Sequence, residues 1–83
     1  MNANVEMANP FRQRYAIVAR GAYVVFELLD AGALPTGDAI TGNLEAFGLQ
    51  VWSSAHLGRI HVRVEDFHRS RPSAEQWVHA DEP

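Results

Sequence analysis

Trp52, Arg63, His61, Gln50 and Arg59 are the residues of this 83-residue chain best equipped for recognition. An indole and a guanidinium both stack on flat groups, and tryptophan and arginine dominate the energetics of protein interfaces. Two strands spanning 49–55 and 59–66, joined at Leu57-Gly58, set Trp52 opposite Arg63, Ser54 opposite His61 and Gln50 opposite Glu65. The other face of the same pairing carries Val51 with Val64, Ser53 with Val62 and Ala55 with Ile60, and is expected to be core. On this reading Trp52→Ala removes a partner while sparing the fold.

Catalytic and metal chemistry find less support in the spacing. Ser54 across from His61, with Asp66 further along, has the residue types of a nucleophile and its base, but Asp66 alternates to the opposite face and no nucleophile elbow surrounds Ser53 or Ser54. No catalytic residue is predicted. The histidines 56, 61, 68 and 79, even with Glu65 as a carboxylate donor, match no compact zinc spacing. Gly37, Gly42 and Gly48 match neither a phosphate loop nor a dinucleotide fingerprint, so no cofactor is predicted. Arg59, Arg63, Arg69 and Arg71, with Trp52 and Phe67 to stack on bases, form an alternative groove for single-stranded nucleic acid. The net charge of −3, the lack of lysine, and Glu65 and Asp66 within the same stretch weigh against it.

The element that must position these residues is Ala22 to Asp30, the longest apolar run in the chain and rich in β-branched and aromatic residues. The stretch Arg12 to Arg20 alternates and is its expected partner. A two-residue turn at Arg20-Gly21 sets Ile17 opposite Val24, Tyr15 opposite Phe26 and Arg14 opposite Glu27. Val18, Tyr23, Val25 and Leu29 then share the outer face, which is too apolar to be left to water and is a candidate oligomer interface. Asp30 to Asp38 reads as a turn region and Asp38 to Thr41 as a short strand. Gly42 to Gly48 has the signals of one helical turn, with Asn43 as N-cap, Gly48 as stop, and Leu44 and Phe47 on one side. Ser73 to Gln76 has capping-box spacing for a short helix to about His79, with Trp77 and Val78 buried.

Five short strands and one C-terminal helix predict a mainly β domain, a small barrel or strongly bent antiparallel sheet of the SH3-like or OB-like kind. It should occupy residues 11–80, between a flexible tail over 1–10 and a frayed end over 81–83. A chain this short has one core, and without cysteine it has no disulfide to reinforce that core. Met1 to Pro10 has neither a basic leader nor an apolar segment of signal-peptide length, which points to the cytoplasm. Seven basic residues that are all arginine, with abundant alanine, hint at a bacterial, GC-rich source. The expected function is a non-catalytic module that binds a protein partner or its own copy, with no membrane partner. A single-stranded nucleic-acid binder is the alternative, and a small-molecule or metal-binding domain the second.

Overall fold

The computed structural model describes residues 1–80 and consists of six strands followed by one helix. They are β1 (Asn2–Asn9), β2 (Arg14–Ala19), β3 (Ala22–Leu28), β4 (Ala39–Thr41), β5 (Gly48–Ser54), β6 (Gly58–His68) and α1 (Arg71–Val78). The strands close into an antiparallel barrel in the order β1-β2-β3-β6-β5-β4. The expected architecture therefore holds, with six strands in place of five. The frayed end assigned to 81–83 lies outside the described residues.

The additional strand comes from the stretch expected as a tail. Asn2–Asn9 pairs with β2 along one edge and with β4 along the other, so β1 is what closes the barrel. Its sequence alternates as such a strand must, with Ala3 and Val5 buried and Asn2, Asn4 and Glu6 exposed. A bulge at Glu6, between the Val5↔Ile17 and Met7↔Ala16 pairs, then shifts the alternation, so that Ala8 packs on the barrel core and Met7 joins a second apolar cluster outside it.

The β2–β3 hairpin has the expected register: Ile17↔Val24, Tyr15↔Phe26 and Arg14↔Glu27. Arg20 and Gly21 both take positive φ (49° and 76°), as the two central residues of a tight hairpin turn must. Val24, Phe26 and Leu28 point into the barrel with Tyr15 and Ile17. Tyr15 stacks on Phe26, and Phe26 meets the edge of Trp52 at 4.9 Å between ring centroids. The Tyr15 hydroxyl donates to Gln13 Oε1 and accepts the Leu34 N–H, and burial pushes its pKa above the usual value. That bond draws the 29–38 loop inward, and Leu34 enters the core.

Outside the barrel, α1 covers part of the apolar face that needed a cover. Ala74 and Val78 bury Val25, Ala16 and Met7, while Tyr23 and Trp77 pack at the margin. The helix begins one turn before the expected start, at Ser70, whose hydroxyl accepts the Ser73 N–H; Pro72 suits the first turn because its missing N–H would have no partner there. Its far end is held from the barrel. Asn9 Nδ2 donates to the Val78 carbonyl at 2.8 Å, and the Arg14 guanidinium donates to the carbonyls of Trp77 and Ala80 while lying 5.0 Å from the Trp77 ring. A cation at a helix C-terminus meets both its free carbonyls and its dipole. Arg14 is thus committed to the helix rather than to Glu27, its cross-strand neighbour, which binds Arg63 instead.

Candidate functional site

The second hairpin sits in a different register from the expected one, and this decides which residues face solvent. Ser54 pairs with Gly58, Trp52 with Ile60, Gln50 with Val62 and Gly48 with Val64. The connection is three residues long, Ala55 to Leu57, and Gly58 follows it at φ 79°. A three-residue loop closed by a glycine at positive φ is a standard hairpin solution. The Ser54 hydroxyl accepts the N–H groups of His56 and Leu57 and donates to the buried Asp38, which also accepts the His56 N–H. Asp38 thereby ties the start of β4 to the β5–β6 turn. Relative to the expected pairing, β5 has slipped by three residues, an odd number, so its two faces are exchanged.

Trp52 consequently lies in the core, 2% exposed, and not on a recognition surface. Its indole N–H donates to the Asn43 carbonyl, and its ring fills the space above Gly42, where an added Cβ would stand 2.6 Å from Trp52 Cδ1. The expected helical turn over 42–48 gives way to this packing. Leu44 is buried in the core, whereas Phe47 is exposed and meets Phe67 edge to face at 4.5 Å. Gln50 is half-buried on the inner side of β5 and donates to the Phe47 carbonyl. Of the residues proposed for recognition, Arg59, His61 and Arg63 remain together, all exposed on the outer face of β6.

What stands beside them is Ser53, Val51 and Leu49, paired with Arg59, His61 and Arg63 in that order. Leu49 is 69% exposed and Val51 58% exposed. Leu29, at 41%, completes the patch from the end of β3, and Leu29, Leu49, Gln50, Val51, His61 and Val62 line a shallow depression of about 220 Å³. Charged side chains border it in two pairs. Arg63 contacts Glu27 at 3.1 Å, and Asp30 accepts both the His61 backbone N–H (2.6 Å) and the His61 ring Nδ1 (3.1 Å). The backbone N–H of His61, and after it the ring, hold the Asp30 carboxyl below its ordinary 3.8. Both pairs are solvent-exposed, so they fix side-chain positions around the patch more than they stabilise the fold.

The outer-face group Val18, Tyr23, Val25 and Leu29 does not act together. Val25 is fully buried beneath α1, Tyr23 and Val18 are half-buried, and Leu29 belongs to the β5 patch. Val25 is therefore unavailable to a second chain. Ser54, His61 and Asp66 likewise have separate engagements: Ser54 with Asp38, His61 with Asp30, and Asp66 with the Phe67 N–H. Of the stacking pair that a nucleic-acid groove would use, Trp52 is core and Phe67 is half-buried against that core. Among the described residues no three histidine or acidic side chains come together to hold a metal ion, and no helix is long and apolar enough to cross a membrane. No protein-family model, curated protein or solved structure matches this chain.

Proposed function

We propose that this barrel is a non-catalytic protein-interaction module of the cytoplasm whose contact surface is the outer face of β5 and β6, with Leu29 at its margin. The observation that carries the reading is the choice of face on β5. Its two aliphatic side chains, Leu49 and Val51, point to solvent, while Trp52 and a hydrogen-bonded Ser54 are taken inward. An isolated exposed leucine needs no explanation, but a contiguous apolar patch rimmed by charged residues is the composition of a protein contact site. Arginine, histidine and carboxylates around the rim supply the polar border, already held in place by their mutual pairs.

The test is site-specific photo-crosslinking in the native host, with a photoreactive residue at Val51 and, as a control, at Glu6 on β1. The expected result is a discrete protein adduct from position 51 that Leu49→Lys suppresses and that position 6 does not form. The absence of an adduct from position 51 contradicts the proposal.

A further inference from the structure

The backbone of β5, as well as its side chains, is open to a partner. β4 pairs with β5 only through Ile40↔Ser54 and Thr41↔Ser53, so along Gly48–Trp52 the single neighbouring strand among the described residues is β6. The direction of each backbone group follows from two hydrogen bonds. The Ala55 N–H to Ala39 carbonyl bond flanks the Ile40↔Ser54 pair, so Ser53 is the residue that turns its N–H and C=O toward β4. On the opposite side, the Leu29 N–H to His61 carbonyl bond commits His61 and Arg63 to β3, which leaves Val62 and Ile60 to bond with Gln50 and Trp52. Both arguments place the N–H and C=O of Leu49 and Val51 on the edge away from β6, where β4 has already ended.

Natural sheets protect such an edge with charges, proline or a covering segment. Here the chain from Ala46 to Ala55 carries no charge and no proline. Gly42 against Trp52 limits the open stretch at its far end, so the accessible part runs from Gly48 to Val51 and presents the backbone groups of Leu49 and Val51.

The geometry points to a second copy of this chain as the occupant, its β5 added antiparallel to this one about a two-fold axis at Leu49. In that register Leu49 faces the copy's Leu49, and Val51 of each copy lies at one end of the joint, beyond the start of the other copy's strand at Gly48. The exposed Leu49 and Val51 side chains of the two copies then form one continuous apolar face, and the open edges bond to each other. Because the strand is uncharged, two identical copies meet without like-charge repulsion, and nothing on the edge selects a foreign sequence. The joint removes on the order of 1,000 Å² in total, at the lower limit for a specific interface, so the dimer is concentration-dependent and dissociates in the micromolar range or above. This inference rests on the β5 surface being the contact site.

Sedimentation velocity from about 10 µM to about 1 mM spans the affinities expected of so small an interface. The mass should rise toward that of two chains, and Val51→Lys should weaken association at least tenfold with an unchanged melting temperature. Amide exchange locates the joint: the Leu49 and Val51 N–H groups should exchange rapidly at the low end and become protected at the high end, while Gln50 and Trp52 stay protected throughout. A single-chain mass at 1 mM overturns self-pairing. A dimer whose Leu49 and Val51 amides remain unprotected overturns pairing through the strand edge. In either case a photo-adduct from position 51 with a different protein leaves the interaction-module reading standing, and no adduct removes both.

Discussion

Replacing Trp52 with alanine is expected to cost about 3–5 kcal/mol of folding stability, because it empties a large volume at the centre of the barrel. The ring touches Phe26 and covers Gly42, and its N–H is the donor to the Asn43 carbonyl, so cavity and lost hydrogen bond act together. A domain of this size has about 5–10 kcal/mol in all, so the variant should lose roughly half of its stability and unfold at a much lower urea concentration. Urea unfolding followed by circular dichroism measures the loss. This outcome is the reverse of what a surface tryptophan would give, which is weakened binding with an unaltered midpoint.

Removal of α1 is the second large effect. A chain ending at Arg69 uncovers Met7, Ala16 and Val25 and loses Val78. Burial of each of the larger of these side chains stabilises by about 1.5–3 kcal/mol, so the deletion costs on the order of 5 kcal/mol before the Asn9 and Arg14 hydrogen bonds are considered. The truncated chain should show no cooperative thermal transition and should bind a hydrophobic dye. An unchanged melting temperature would mean that α1 does not hold the β1–β2–β3 face. The apolar surface over Val25 belongs to folding, as distinct from the patch around Leu49 that is proposed for association.

Much of this arrangement is legible in the sequence, and the exceptions have physical causes. The β2–β3 register was legible because Arg20-Gly21 leaves one tight turn, and that turn brings Ile17 to Val24 and Tyr15 to Phe26. That Val25 needed a cover was legible too, since it alternates with core residues on a strand apolar on both faces. The inward face of β6 also followed from its alternation, through Ile60, Val62 and Val64. The face of β5 did not. Leu49, Val51 and Ala55 look more like core than Gln50, Trp52 and Ser54, and apolar patterning selects the wrong side. The deciding signal is the Ser54-to-Gly58 spacing, with a serine able to cap the loop and a glycine able to take positive φ. Its long-range half, the Asp38 carboxylate under Ser54, joins residues sixteen apart and leaves no local trace.

The strand β1 was obscured differently. Asn2, Asn4 and Glu6 alternate with Ala3, Val5 and Met7, which is a strand pattern, but its apolar residues are small or flexible, and the bulge at Glu6 sends Met7 and Asn9 to a different layer from Ala3 and Val5. A strand that changes partners midway looks aperiodic. The misread face of β5 has the opposite significance. Where apolar residues are turned outward, a second demand on them is the natural explanation, and the proposed contact with another chain would supply it.

The placement of β5 can be tested most directly by cysteine accessibility, because the chain contains no native cysteine. Single Val51→Cys, Ser53→Cys, Ser54→Cys and Val62→Cys variants would be exposed to a maleimide reagent at low protein concentration. Positions 51 and 53 should react at the rate of a free thiol, and positions 54 and 62 should react only as fast as the domain unfolds. Rapid labelling at 54 with protection at 51 and 53 would place Trp52 on the surface and contradict the account.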